Sequence, residues 1–321
     1  MSDMLFFDLH CDTISKLCLQ GGGLGRNGLH IDLDKLSRGG CLAQCFAAFI
    51  MTHGEAEECG AERDPWLWFV RLADAFYREM EAARSRIAPV RRAADIEENR
   101  RAGRLSALLT VEDGVLLEGQ LRRLDALHDR GVAMLSLTWN YENSLGYPNS
   151  ADPELHGLGL KAFGREAVER MEELGMIVDV SHLSEGGFWD VAEQAKRPFV
   201  ASHSCARALC DHSRNLTDSQ LRAIGEHGGV CGVNFFSEFL TGGGYTRAED
   251  IVRHMEHMVR VSGIESVAVG SDFDGIDCEL ELGDYGGMPL LLDEMSRKFT
   301  DDEIEKICNL NALRVFRDVA G

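Results

Sequence analysis

His10 and Asp12 stand two residues apart near the N-terminus, in the stretch Phe6-Phe7-Asp8-Leu9-His10-Cys11-Asp12-Thr13. The apolar first half of this stretch predicts a buried strand, and side chains on a strand alternate between its two faces. His10 and Asp12 would therefore project to the same side. An imidazole nitrogen and a carboxylate oxygen that converge on one point suit a borderline cation such as Zn²⁺. In isolation the pair would favour a core histidine beside a helix-capping aspartate, and the rest of the chain reverses that preference.

Four further residues of metal-binding type follow apolar runs elsewhere in the chain. They are Glu112 in Val-Glu-Asp-Gly, His182 in Asp-Val-Ser-His, His203 in Ser-His-Ser and Asp272 in Gly-Ser-Asp-Phe-Asp-Gly. With His10 and Asp12 they make three histidines and three carboxylates, which is more than one tetrahedral zinc needs. The set suits two metal ions about 3.5–4 Å apart that share a bridging carboxylate. This hypothesis requires that all six residues meet in the fold.

The elements that must position these residues form a regular series along the chain. Eight short apolar runs predict strands over 5–10, 41–51, 106–112, 132–139, 176–182, 199–203, 230–236 and 267–272. Amphipathic stretches between them predict helices over 66–86, 120–130, 161–174, 185–195, 219–226 and 249–262, and one or two more over 301–319. Apolar strands that alternate with helices indicate parallel strands buried on both faces. Eight such units predict an α/β fold, a (β/α)8 TIM-type barrel whose strands carry the candidate residues at their carboxyl ends.

A doubly wound sheet is the alternative architecture. The glycine cluster Gly21-Gly22-Gly23-Leu24-Gly25 does not follow a strand directly or open a helix, so it indicates a loop rather than a phosphate-binding turn. We therefore expect one catalytic barrel domain over residues 1–321.

Composition bounds the partners and the compartment. The chain has 321 residues with 53 acidic and 33 basic side chains, for a net charge of −20, which argues against nucleic acid and anionic membranes as partners. We find no apolar segment of membrane-spanning length and no signal-peptide pattern. The ten cysteines include no Cys-x-x-Cys pair, which favours reduced thiols and a cytoplasmic protein.

The other histidines and two arginines are weaker candidates. We interpret His254 and His257 as surface residues of a helix, and His128 and His227 as surface residues near helix C-termini. His30, His156 and His212 lie in predicted loops and are left open, and His53 could line the pocket or face solvent. Arg207 and Arg214 follow the His203 motif, where an arginine can form a forked contact with a substrate carboxylate or remain solvated.

The motifs together resemble the membrane (renal) dipeptidases, binuclear zinc enzymes of the amidohydrolase-like barrel class. The resemblance rests on His10-x-Asp12, Val-Glu112, Asp-Val-Ser-His182, Ser-His203-Ser with Arg214-Asn215 eleven residues after the histidine, and Gly-x-Asp272-Phe-Asp-Gly. These motifs run in order from residue 8 to residue 275, over most of the chain. The resemblance therefore covers far more than any single motif.

The resemblance implies a role for each of these residues. His10 and Asp12 would bind one of two Zn²⁺ ions, His182 and His203 the other, and Glu112 would bridge them; another divalent metal is the alternative. Arg214 would hold the C-terminal carboxylate of a dipeptide, and Asp272 would transfer the proton during attack by a metal-activated hydroxide. The resemblance also implies tolerance of a D-residue on the C-terminal side and allows a homodimer.

Two positions depart from the family pattern. Asp113 follows the bridging glutamate where the family has glycine, and Trp139 stands where members such as the renal enzyme have a histidine that contacts the scissile group. Asn140, or another nearby side chain, would then supply that hydrogen bond, unless the metal alone stabilises the oxyanion.

Two other functions remain open from the sequence. A lactonase, deacylase or other amidohydrolase would use the same metals, and Arg214 discriminates, because a dipeptide carboxylate needs it and a neutral ester or lactone does not. A catalytically silent metal-binding scaffold is the second alternative, and Trp139 is its only support.

Overall fold

A computed structural model describes residues 4–52 and 60–321. His53, for which the sequence left two interpretations, lies outside these ranges. Within them, no helix combines the length and the apolar character that crossing a membrane requires. All nine cysteines in the described ranges are free thiols.

The described residues form a closed parallel barrel surrounded by helices. In chain order the strands are β1 Phe6–Asp8, β2 Cys41–Phe49, β3 Ile87–Pro89, β4 Leu105–Glu112, β5 Val132–Ser136, β6 Ile177–Asp179, β7 Val200–Ser204, β8 Val230–Val233 and β9 Val267–Val269. The sheet order is β2-β1-β9-β8-β7-β6-β5-β4-β3, and pairing of β2 with β4 closes it. The predicted eight-stranded (β/α)8 barrel is confirmed, and each predicted strand is present.

Strand β3 is a ninth strand that the sequence analysis did not predict. It pairs with the start of β4 at Leu105–Ala107, whereas β5 pairs with the same strand only from Leu109 onward. β3 therefore extends the amino-terminal rim and leaves the eight-stranded barrel intact. Three residues ending in proline are too short to show the alternation by which a strand is recognised.

The helices predicted from the sequence surround the barrel, and the described ranges contain six more that were not predicted, over 13–20, 33–38, 93–101, 153–156, 237–240 and 288–295. In chain order the helices are α1 Thr13–Gln20, α2 Leu33–Arg38, α3 Pro65–Ala82, α4 Ala93–Arg101, α5 Arg122–Asp129, α6 Pro153–His156, α7 Ala162–Leu174, α8 Glu185–Gln194, α9 Asp218–Glu226, α10 Ser237–Leu240, α11 Ala248–Ser262, α12 Met288–Met295, α13 Asp301–Glu305 and α14 Asn311–Ala320. Asp64 caps α3 by accepting from the backbone of Trp66 and Leu67, and Thr217 and Gln220 form a capping box on α9. A π-helical stretch, Lys306–Leu310, joins α13 to α14.

The two ends of the barrel differ in chemistry. At the amino-terminal end Val315 and Phe316 of α14 pack against strand residues such as Phe7 and Leu108, which closes the barrel with apolar contacts. At the carboxyl-terminal end the strand register places Phe49, Glu112, Ser136 and Asp179 side by side on successive strands. The polar residues that follow the strands therefore meet at one rim, as barrel enzymes require.

Candidate metal centre

Glu112, the last residue of β4, lies at the centre of the rim and presents its two carboxylate oxygens to different histidines. Oε2 lies 3.5 Å from Nε2 of His10, while Oε1 lies 3.0 Å from Nε2 of His182 and 3.5 Å from Nε2 of His203. The two nitrogens of His182 and His203 are 3.0 Å apart. One carboxylate thus separates two ligand groups, which is the arrangement expected of a bridging ligand between two cations.

The group on the Oε2 side consists of His10 with two aspartates. Nε2 of His10 lies 3.4 Å from Oδ2 of Asp12 and 3.8 Å from Oδ1 of Asp272. Two overlapping clusters have ligand atoms close enough together to hold a metal ion: His10, Glu112 and His203, and His10, Asp12 and Asp272. All six residues that the sequence predicted for the site therefore come together.

The buried polar atoms at this rim fit a bound cation. Nε2 of His10 and Oδ1 of Asp12 are buried and make no hydrogen bond to the described residues. A Cβ atom added to Gly275 would lie 2.3 Å from carboxylate oxygens of both Asp12 and Asp272, so only glycine leaves their inner faces clear. Buried unpaired donors and acceptors are costly, and a metal ion would satisfy them.

The charges of the rim are strongly coupled. Burial disfavours the imidazolium of His10, yet the neighbouring carboxylates outweigh burial and hold its pKa well above the usual range. Burial would raise the pKa of Glu112, but His10 and the other two histidines hold it well below normal. Burial and the charge of Arg214 lower the pKa of His182 to about 4. Burial and the charges of His10 and Arg214 lower the pKa of His203 as well. His182 and His203 are thus neutral imidazoles beside an ionised carboxylate, as metal ligation needs, and a cation bound at His10 would take the place of its proton.

Asp272 has the properties of a proton carrier. Burial raises its pKa to about 7; His10 opposes the rise, and the negative charges of Asp12 and Glu112 add to it. Its Oδ2 accepts a hydrogen bond of 2.8 Å from the side-chain amide of Asn234, which fixes the carboxyl group. The sequence analysis missed Asn234, although it directly follows strand β8 as the other rim residues follow theirs.

Several rim residues adopt left-handed backbone conformations. The φ angles are +78° at Asp113, +67° at His182, +61° at Asp272 and +68° at Asp274. Such angles are uncommon outside glycine and collect at functional sites, where surrounding contacts maintain them. His182 and Asp272 each lie three residues beyond their strand, later than predicted, so these turns direct their side chains to the rim.

The conformation of Asp113 explains why it can replace the family glycine. At its φ of +78° glycine would be unstrained, and aspartate needs compensating contacts. Its Oδ1 accepts from the backbone of Val115 and from the side chain of Asn143 at 2.8 Å. Local hydrogen bonds of this type make aspartate one of the few side chains tolerated in this region.

Arg214 is a buried cation that opens into the pocket. Its side chain donates to Oγ of Ser204 at 2.6 Å and to the carbonyl of His203 at 2.8 Å, and its Nε is buried with no partner among the described residues. Within the same ranges no carboxylate forms an ion pair with it, although burial lowers its pKa. Asp179, Asp272 and Glu112 favour its charge at longer range, but none of them pairs with it directly, so the desolvated guanidinium can bind an anionic ligand. Arg207, the other arginine considered, instead supports the loop through the carbonyls of Ser213 and Asn215.

A pocket of about 310 Å³ joins Arg214 to the metal ligands. Its lining includes Glu112, His182, Asp272, Trp139 and Asn140. Oδ1 of Asn140 lies 3.3 Å from Nδ1 of His182, so the amide helps to orient that ring.

The interpretation of two helical histidines as surface residues is wrong. His254 is completely buried and His257 nearly so. Nδ1 of His254 accepts from the backbone N–H of Ala206 at 3.1 Å, and Nε2 donates to the carbonyl of Leu240 at 3.0 Å. His254 thus anchors the segment after β7 that leads to Arg214. Helical spacing alone did not reveal that this face of α11 packs against β8 and α9.

Comparison with known proteins supports the interpretation of the rim. The family model described as membrane dipeptidase (peptidase family M19) matches residues 1–321. An uncharacterised Klebsiella pneumoniae protein from the pqqA 5′ region is 40% identical over 238 residues, 71% of this chain and 87% of the relative. An uncharacterised dipeptidase of Schizosaccharomyces pombe is 35% identical over 68% of this chain and 54% of its own length.

Solved structures agree with the sequence matches. A metallopeptidase from Rhodobacter sphaeroides, liganded with a phosphinate mimic of L-Ala-D-Ala, superposes with a TM-score of 0.89 at 26% identity over 99% of both chains. A second M19 metallopeptidase, dipeptidase AC, gives 0.88 at 27% identity over 99% of this chain and all of the other. Because the family model matches the whole chain and these enzymes share its barrel, the chain belongs to the membrane dipeptidase family, M19, and is a metallo-dipeptidase.

Proposed function

We propose that this dipeptidase uses two Zn²⁺ ions held by five side chains. His10 and Asp12 would bind one ion, His182 and His203 the other, and Glu112 would bridge them. The observation that carries the proposal is the division of the Glu112 oxygens between His10 on one side and the two remaining histidines on the other. Imidazole and carboxylate ligands without cysteine suit zinc and several other divalent ions, so metal identity is part of the proposal.

The side chains around the metals perform the remaining steps of peptide hydrolysis. When bound, the zinc pair supplies a polarised scissile carbonyl and an attacking water of lowered pKa. Asp272 takes up the proton released in the attack and returns it to the leaving amine, and its Oδ1, 3.8 Å from Nε2 of His10, places it beside the metal ligands for both transfers. Asn234 keeps the carboxyl group of Asp272 in position for both transfers.

Arg214 and Asn140 orient the substrate in this proposal. The C-terminal carboxylate of the dipeptide would accept hydrogen bonds from Arg214, whose buried charge makes no direct ion pair with a carboxylate of the described residues. Asn140 would donate its amide N–H to the substrate near the scissile bond while its oxygen holds His182. Requirement for a free carboxylate distinguishes a dipeptidase from the deacylase or lactonase alternative, which the family match also does not favour.

We further propose that the enzyme accepts dipeptides with a D-residue at the C-terminal position. The support is the Rhodobacter sphaeroides relative, which was crystallised with a mimic of L-Ala-D-Ala and shares 26% of its residues with this chain.

We also propose that the protein is cytoplasmic, that residues 1–321 form one catalytic domain and that two chains form a homodimer. Sedimentation at several protein concentrations tests the last point.

Metal analysis combined with activity tests the proposal directly. We expect two zinc ions per purified chain, loss of L-Ala-D-Ala hydrolysis on chelation, and recovery with Zn²⁺. His10→Ala and His182→Ala should each reduce the metal content by about one ion. A wild-type protein that keeps full activity with a single ion, or after complete chelation, would contradict the binuclear mechanism.

A further inference from the structure

Trp139 forms part of an apolar wall in the pocket. We define the apolar wall as Phe49, Met51 and Trp139, all of which line the cavity that contains the metal ligands. The Trp139 ring meets the Phe49 ring edge-on, with centroids 4.7 Å apart and an interplanar angle of 61°. This is a favourable aromatic geometry, so the two rings form one continuous surface.

Backbone contacts fix Phe49 in this position. Its N–H donates to Oγ of Ser15 at 3.1 Å, and its carbonyl accepts from the indole N–H of Trp68 at 2.9 Å. Trp68 is itself completely buried in the core. Phe49 therefore offers a preorganised surface, since substrate binding does not have to order it.

Phe49 lies across the barrel from Arg214, whereas Trp139 follows β5, which is two strands from β2 and two strands from β7. In the closed ring of eight strands, β2, which ends in Phe49, is four strands from β7, after which Arg214 follows. Glu112 ends β4, which pairs with β2 so that Phe49 and Glu112 are register partners. Glu112 thus lies beside Phe49, and the ring centroids of Trp139 and His182 are 6.3 Å apart, so the wall borders the candidate metal ligands. A dipeptide whose carboxylate is on Arg214, as in the proposed function on which this step rests, extends its N-terminal residue toward the wall.

We propose that the apolar wall selects dipeptides whose N-terminal side chain is aromatic or large and aliphatic. Such a side chain removes the exposed parts of Phe49 and Trp139 from water and gains an aromatic or dispersion contact, whereas an alanine side chain leaves them hydrated. Lys16 is the cationic residue that lines the same part of the pocket, so an acidic N-terminal side chain is the competing possibility.

The test compares kcat/KM for L-Phe-D-Ala, L-Leu-D-Ala, L-Ala-D-Ala and L-Asp-D-Ala with zinc-loaded protein. We expect the phenylalanine and leucine substrates to exceed the alanine substrate by about tenfold or more, a typical value for a well-formed apolar subsite. Trp139→Ala and Phe49→Ala should remove most of that preference, measured as the ratio of kcat/KM for L-Phe-D-Ala to that for L-Ala-D-Ala. Trp139→Phe should retain it, and Trp139→His should weaken it.

Trp189→Ala is the matched control, because Trp189 is 39% exposed and lies outside this pocket. It should leave the substrate order unchanged. Equal rates for all four substrates, preference for L-Asp-D-Ala, or an unchanged order in Trp139→Ala would each overturn the selection by the wall while leaving dipeptide hydrolysis intact. A zinc-loaded wild type that cleaves none of the four would overturn the proposed function and this inference together.

Discussion

Oγ of Ser202 lies 2.7 Å from Nδ1 of His203 and also donates its proton to Oδ2 of Asp179 at 2.6 Å. Because the hydroxyl proton goes to the aspartate, the serine oxygen accepts from Nδ1–H of His203. That tautomer leaves Nε2, which faces Glu112, free to bind a cation. Carboxylate-supported histidines of this kind are common behind metal ligands. Ser271 occupies the equivalent place beside Asp8, donating to Oδ2 at 2.6 Å.

Ser202→Ala should therefore weaken metal binding at the His182–His203 site by about 10–100-fold, because His203 loses the acceptor that sets its tautomer. Titration with a metal-sensitive chelator measures the two affinities separately. Ser271→Ala removes a similarly buried hydroxyl that does not touch His203, and it should leave that affinity unchanged. An equal loss of metal affinity in both variants would mean that removing either hydroxyl destabilises the whole rim, not His203 in particular.

Asp272→Asn should retain both metal ions and the substrate affinity but reduce kcat by about 10²–10⁴-fold, the usual contribution of a general acid–base group. The amide keeps the size of the side chain and removes its capacity to carry the proton. Metal content and steady-state kinetics on L-Ala-D-Ala measure the two effects. Turnover at the wild-type rate would exclude Asp272 as the proton carrier.

Arg214→Met should raise KM for dipeptides, with a fall in kcat/KM of about 10²-fold or more, because a charge-assisted contact to a carboxylate is lost in a desolvated site. Dipeptide amides, which lack the carboxylate, provide the matched comparison. The wild type should discriminate strongly against them, and the variant should not. If amidation costs the wild type nothing, Arg214 does not bind the carboxylate.

Acidification should destabilise the fold through His254. Burial, the largest cause, lowers the pKa of His254 to about 4, against about 6.5 in an unfolded chain. Between these values the unfolded chain binds the proton and the native chain does not, so the free energy of unfolding falls as the pH drops from about 6.5 to about 4. The shift corresponds to about 3 kcal/mol in total. Above pH 6.5 this contribution is constant.

Chemical unfolding of wild type and His254→Gln at pH 7.5 and pH 5 measures this effect. The wild type should lose about 2 kcal/mol more than the variant over this interval, since only its side chain takes up the proton on unfolding. Identical losses in both proteins would assign the pH dependence to other groups.

The eight strands and the six rim residues were predictable from the chain alone, because apolar runs and the residues that follow them are local patterns and parallel strands bring their carboxyl ends to one rim. The resemblance also pointed to Arg214 and to the two unusual positions, Asp113 and Trp139. Only the tertiary structure decided which oxygen of Glu112 faces which histidine. It also decided that His254 is buried, that Asn234 holds Asp272 and that Ser202 holds His203. These relationships join residues that are distant in sequence through side-chain directions and packing, which no local pattern encodes.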